Sequence, residues 1–190
     1  MAKLTFIFGT MGSAKTAQAL MKRYDYIQNN TKVLLLKPSI DTRNKIGYVT
    51  SRAGNLTAEC VLYDQNTSII NEFEDLIKNT DVLIVDEVQF SSKNQIEELK
   101  IISEEYNKAV YAYGLRTDFQ TNLFEGSKRL FELSDEIIGL KSVCHCKEYA
   151  IVNARYSNDE IIYEGKQVEI GGEEKYRGLC YKCYKKGKIK

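Results

Sequence analysis

Short continuous apolar runs alternate along most of the chain with segments in which apolar residues recur at helical spacing. Leu4-Thr5-Phe6-Ile7-Phe8 is such a run and ends at Gly9; Val33 to Leu36, Val82 to Val85 and Val110 to Tyr113 are others. Runs of this length read as buried strands. Between them Ala17, Leu20, Met21, Tyr24 and Ile27 predict a helix from Lys15 to about Gln28 with those residues on its apolar face. Ile69, Ile70, Phe73, Leu76 and Ile77 predict a second helix. Ile96, Leu99 and Ile102 predict a third, which Ser91 or Ser92 can cap. Strands that alternate with helices are joined by crossovers, which parallel pairing requires. The expected fold class is α/β, with a mainly parallel sheet flanked by helices over residues 1–140.

Beyond residue 140 the pattern changes. Ala150 to Tyr156 and Glu160 to Tyr163 flank Ser157-Asn158-Asp159, the signature of a β-hairpin. Gln167 to Ile170 then leads into Gly171-Gly172, and cysteines stand at both ends of the region. Residues 141–190 are expected to form a small zinc-ribbon-like lobe with a loop. Lys182, Lys185, Lys186, Lys188 and Lys190 make a solvated basic tail.

Composition adds mainly exclusions. Hydrophobic residues are 43% and charged residues 28% of 190, as in a soluble globular protein, and the formal net charge is +1. Such a balance gives no overall field to recruit nucleic acid or an anionic membrane. No segment approaches the ~18 apolar residues of a membrane span, and Leu4 to Phe8 is too short for a signal-peptide core. A cytoplasmic protein with no nucleic-acid or membrane partner is expected.

Candidate chemistry begins at Gly9-Thr10-Met11-Gly12-Ser13-Ala14-Lys15-Thr16, which fits the phosphate-loop pattern G-x-x-x-x-G-K-[ST] except at Ala14. The pattern places inward backbone N–H groups and a helix N-terminus around phosphate. Lys15 supplies charge and Thr16 a hydroxyl for Mg²⁺. Ala14 is tolerable at an ordinary backbone angle, with Gly12 providing the turn. Asp86-Glu87, at the end of a buried run, supplies an acid for Mg²⁺ and a second acid that can accept a proton from a hydroxyl or orient a water. These two motifs establish a P-loop NTPase without fixing the acceptor. An ATPase, or a zinc-containing protein that acts on nucleic acid, is an alternative to a kinase.

Cys144-His145-Cys146 and Cys180-Tyr181-Lys182-Cys183 offer four thiolates for tetrahedral zinc, with a structural role because a closed four-ligand site leaves no open position. The first pair is shorter than the commonest spacing, so His145 could replace one cysteine; four free thiols are the plainer alternative. Cys60 is read as an ordinary thiol.

Further segments carry a family likeness. Asp86-Glu87-Val88-Gln89-Phe90, Tyr113-Gly114-Leu115-Arg116-Thr117-Asp118-Phe119-Gln120 and Lys37-Pro38-Ser39-Ile40-Asp41-Thr42-Arg43 resemble segments of the zinc-containing (type II) thymidine kinases. Ile170-Gly171-Gly172-Glu173-Glu174-Lys175-Tyr176, followed by Cys180, is similar to that family's ending. The resemblance implies ATP and Mg²⁺, thymidine as acceptor of the γ-phosphate at its 5′-hydroxyl, structural zinc and a homotetramer. By position it implies Glu87 as general base, with Lys15 and Arg43 on the transferring phosphoryl group. It puts the donor nucleotide at Gly9 to Thr16 and at Asp86, Glu87, Val88 and Gln89. Phe119 would stack on the base, and Met11 and Leu115 would wall the pocket, although each could equally be core packing. Gln167, Val168, Glu169, Ile170, Gly171 and Tyr176 would wrap the nucleoside, largely through backbone groups. Asn153 stands where the family often has a smaller residue.

Overall fold

The apolar runs become strands and the periodic segments become helices, in alternation. The computed structural model describes residues 2–42, 45–169, 171–172 and 174–189. In chain order the first part contains β1 (Leu4–Phe8), α1 (Lys15–Gln28), β2 (Val33–Pro38), the short strands β3 (Tyr48–Thr50) and β4 (Thr57–Glu59), and β5 (Val61–Tyr63). There follow α2 (Ile69–Lys78), β6 (Val82–Val85), a 3-10 turn at Val88–Phe90, α3 (Lys93–Glu104), β7 (Ala109–Gly114), α4 (Glu125–Leu133) and β8 (Glu136–Gly139). Six of these strands form one sheet in the order β5-β2-β6-β7-β1-β8, with every pairing parallel. The remaining two, β3 and β4, pair antiparallel in a hairpin of their own.

Alternation along the strands splits the core. Leu4, Phe6, Leu36, Leu83 and Val85 pack on one face, beneath α2, α3 and α4. Ile96, Leu99 and Ile102 of α3 are fully buried there, each contributing roughly 1.5–3 kcal/mol of transfer free energy. The start of α3 is fixed by a capping box: Ser92 accepts from the Gln95 N–H while the Gln95 side chain accepts from the Ser92 N–H. Ile7, Leu35, Ile84 and Tyr113 point to the other face, where α1 lies over them.

The face that α1 buries differs from the one its periodicity suggests. Ala17, Ala19 and Leu20 are buried, but Met21 and Tyr24 are 61% and 65% exposed and Ile27 is also exposed. The small side chains at 17 and 19 let the helix sit close to the sheet, and residues 21 and 24 then project to the side.

The second part is antiparallel. Strands β9 (Ser142–Val143) and β10 (Tyr149–Ala150) form one ladder. Strands β11 (Val152–Ser157), β12 (Glu160–Ile162) and β13 (Tyr176–Leu179) form another, in the order β12-β11-β13, and α5 (Tyr181–Lys185) follows. Asn158 and Asp159 both take positive φ (50° and 61°), as a two-residue hairpin turn of the right twist demands. The hairpin's first strand starts later than expected because Ala150 pairs with Ser142 instead. Cys144, Cys180 and Cys183 share a small core with Val152, Ala154 and Leu179. Among the described residues no helix is long and apolar enough to cross a membrane.

Candidate functional site

Parallel strands present all their carboxyl ends on one edge, and the segments leaving β1, β6 and β7 enclose a cavity of about 430 Å³ there. After β1 the chain turns through Gly12 (φ 78°) and Ala14 (φ 59°) before α1 begins. Ala14 is thus left-handed, not ordinary, and Gly12 does not relieve it of the turn; an alanine there costs roughly 1–2 kcal/mol against a right-handed conformation. The Lys15 ammonium lies folded against the loop, 2.8 Å from the Thr10 carbonyl and 3.2 Å from that of Gly9. The Thr10 hydroxyl also meets that of Ser142, which ties the loop to the second part of the chain.

From β6, Asp86 reaches back to the loop and accepts from the Thr16 hydroxyl at 3.0 Å. Burial, reinforced by the Glu87 carboxylate, pushes the Asp86 carboxyl up to about 7 against the opposing pull of Thr16 and Lys15. A divalent cation held between that hydroxyl and carboxylate would relieve the cost, and hard oxygen donors suit Mg²⁺. Glu87 itself is left-handed (φ 54°), a strained conformation of the kind that clusters at functional positions. Gln89 explains how it is held. Its amide nitrogen donates to Glu87 Oε2 at 2.6 Å, and its amide oxygen accepts from the Leu115 N–H at 2.9 Å. Gly114 permits this approach, since a Cβ there would stand 2.8 Å from Gln89 Oε1 and 2.9 Å from Val88 Cγ1.

The far end of the cavity is formed by Leu115, Phe119, Gln167, Val168, Glu169, Gly171 and Tyr176. The described residues between β12 and β13 lie in no strand or helix, so other contacts hold them. Gln167 donates to Asp118 Oδ2 at 2.9 Å, while Asp118 Oδ1 accepts from the N–H groups of Gln120 and Asn122. Tyr176 donates from its hydroxyl to the Glu169 carbonyl at 2.7 Å. Asn153, fully buried, bridges the two ends: its oxygen accepts from the Met11 N–H (2.8 Å) and its nitrogen donates to the Thr117 carbonyl (2.9 Å).

Met11, Gly12, Ser13, Ala14, Lys15, Thr16, Asp86, Glu87 and Gln89 therefore line the same cavity as the aromatic end. Gly9, Thr10 and Val88 do not; Val88 is wholly buried in the core beneath the sheet. Arg43 and Ile170 lie outside the described residues. Sequence reasoning passed over Asp41, which lines the cavity and forms a buried ion pair with Lys37 at 3.0 Å. It also passed over Arg52, which lines the cavity from the β3–β4 turn. An acid four residues after a lysine at a strand end was the available signal for Asp41; nothing in the sequence brings Arg52 to the site.

Away from the cavity, the Sγ atoms of Cys144, Cys146, Cys180 and Cys183 all lie within 4.8 Å of one another, and that of Cys146 is 3.6 Å from that of Cys180. Tetrahedral zinc with Zn–S bonds near 2.3 Å places its sulfurs roughly 3.8 Å apart, so the group fits. The Cys183 N–H points at Cys180 Sγ (3.4 Å) and draws that thiol down to about 7, while burial and the neighbouring thiols push Cys183 up to about 12. His145 Nε2 sits 3.0 Å from Cys183 Sγ, beside the four sulfurs.

A family model described as "Thymidine kinase" matches residues 2–184. A thymidine kinase of Rhodopirellula baltica is 39% identical over 183 residues, covering 95% of this chain and 86% of its own. One from Streptococcus thermophilus is 38% identical, covering 96% and 93%, and one from Legionella pneumophila is 37% identical, covering 98% and 91%. Among solved structures, AMPPCP-bound DnaA from Aquifex aeolicus overlaps 74% of this chain and 41% of its own at a TM-score of 0.46 and 20% identity. With the phosphate loop, the acidic pair and the cysteine cluster in their places, a match of this extent has one meaning: the chain belongs to the thymidine kinase family.

Proposed function

We propose that the protein transfers the γ-phosphate of ATP to the 5′-hydroxyl of thymidine, giving thymidine monophosphate in nucleoside salvage. One observation carries the reading: Lys15, Thr16, Asp86 and Glu87 share a cavity with Phe119, Tyr176 and the 167–169 loop, so donor and acceptor ends adjoin. Met11 to Thr16 receive the phosphates through backbone N–H groups. Thr16 and Asp86 would hold Mg²⁺, and the ion would supply positive charge against the phosphates of the donor. Glu87, steadied by Gln89, takes the proton from the 5′-hydroxyl. The 5′-oxygen forms its bond to the γ-phosphorus as the bond to the β,γ-bridging oxygen breaks, and ADP leaves with that electron pair. Because the transition state is loose, Lys15 and Arg43 act mainly by placing positive charge around the transferring group.

At the acceptor end Phe119 offers its ring to the base, Met11 and Leu115 wall the pocket, and the 167–171 segment reads the thymine edges through main-chain groups. Residues 1–140 thus form the ATP-binding part, and 141–190 a lobe closed by zinc on Cys144, Cys146, Cys180 and Cys183. Four cysteines used as metal ligands and not as disulfides suit a reducing compartment, which supports a cytoplasmic location. A homotetramer would cover the exposed Met21 and Tyr24 of α1 and the exposed Ile137 and Ile138 of the edge strand β8. The test uses labelled ATP and Mg²⁺ with a panel of nucleosides, nucleotides and water. Label in thymidine monophosphate is expected; ATP cleavage without label in any pyrimidine deoxyriboside would overturn the reading.

A further inference from the structure

Behind the acceptor pocket, and not lining it, stands a buried guanidinium. Arg155, on β11, is 3% exposed. Its Nε and Nη2 donate to the Tyr176 hydroxyl at 3.1 and 2.8 Å. Nη2 also donates to the Lys166 carbonyl at 3.0 Å and reaches that of Gln167 at 3.5 Å. Nη1 lies 3.4 Å from Glu169 Oε2, whose side chain is half exposed. Above this hub, Arg155 Cζ is 3.8 Å from the centre of the Phe119 ring.

A charge buried this deeply is costly unless its donors are used, and an apolar side chain of like volume would often serve packing equally well. What the guanidinium provides is a planar fork of fixed directions together with a flat face for stacking. Among the described residues, the groups its guanidinium engages belong to the acceptor end: the ring of Phe119, the hydroxyl of Tyr176, the main chain at 166–167 and the Glu169 carboxylate. Tyr176 extends the reach by donating to the Glu169 carbonyl.

We infer that Arg155 is a positioning residue for nucleoside affinity, holding Phe119 and the 166–169 main chain in the thymidine-binding arrangement before thymidine arrives. The inference rests on the acceptor pocket proposed above. Loop ordering completed in advance lowers the KM for thymidine while leaving the ATP end, and the chemical step, nearly untouched.

The test compares Arg155→Lys, Tyr176→Phe and Phe119→Ala with the unaltered protein in steady-state kinetics for both substrates, alongside melting temperature and zinc content. Arg155→Lys keeps the charge but loses the fork and the stacking plane. Its thymidine KM is expected to rise about tenfold, with kcat and the KM for ATP within about twofold. Tyr176→Phe keeps the ring and is expected to shift thymidine KM in the same direction by a smaller factor. An unchanged thymidine KM in Arg155→Lys, beside a large rise in Phe119→Ala, overturns the role of Arg155 and leaves the pocket standing. Unchanged thymidine KM in Phe119→Ala overturns both. Equal losses toward ATP and thymidine with a lowered melting temperature make Arg155 a general packing residue, which also overturns the inference.

Discussion

The donor end of the cavity and the acceptor end reach order by different means. At the donor end Lys15, Thr16, Asp86 and Glu87 sit within a residue or two of a strand or helix terminus, and the parallel sheet delivers them to one edge. At the acceptor end the described residues between β12 and β13 lie in no strand or helix, and buried polar side chains from elsewhere (Asp118 and Arg155) share hydrogen bonds with them. A rigid scaffold can make an active group from a short motif. A loop that reads a ligand through its main chain needs residues far away in sequence to hold it still.

The comparison can be tested where it is strongest first. Glu87→Gln removes the proton acceptor and keeps the shape, so kcat is expected to fall by about 10²–10⁴ while ATP affinity holds, as read by turnover and ATP titration. Near-normal turnover would strip Glu87 of its role. Next comes the lobe beneath the acceptor end. The helix that carries Cys183 also carries Tyr184, whose hydroxyl donates to the Phe119 carbonyl at 3.0 Å. Removing zinc with a strong chelator is therefore expected to lower the melting temperature by about 10 °C or more and to raise the KM for thymidine ahead of that for ATP. Undamaged protein that contains no zinc would end this account.

Asn153 blurs the division, because one buried amide serves both ends. Asn153→Ala leaves the Met11 N–H without its partner at a cost of about 1–3 kcal/mol, and both KM values are expected to rise several-fold. If only the thymidine KM moves, the two ends are more independent than the bridge implies. The smallest effect concerns the phosphate loop alone. Ala14→Gly relieves a left-handed alanine but adds chain entropy, a net gain of about 0.5 kcal/mol or a melting point 1–2 °C higher by calorimetry, with kinetics unchanged.

The same division governs what the sequence made legible. Buried apolar runs marked β1, β2, β6 and β7, because burial on both faces leaves no polar alternation to confuse the reading, whereas the exposed edge strand β8 and the short β5 carried no such run. The phosphate loop and Asp86-Glu87 were visible since their chemistry demands particular residue types at fixed spacing. Gln89 was placed with the donor site by its neighbours, yet its amide serves to hold Glu87 and Leu115, a pairing that only β7 lying beside β6 creates. Arg155 was invisible: an arginine within a polar hairpin strand reads as solvated until the fold buries it. Met21 and Tyr24 failed for a related reason, because helical periodicity reveals an apolar stripe but not which neighbour it meets.

The strand order also dictates a schedule. Leu4 in β1 pairs with Val110 in β7, and Thr5 with Glu136 in β8, so β1 leaves the ribosome well before either strand it pairs with. Until then the phosphate loop that follows β1 has no neighbour across which to set its shape, and an apolar segment stands open to wrong partners. A nascent chain halted before residue 109 should consequently be unable to hold nucleotide, however complete its motif.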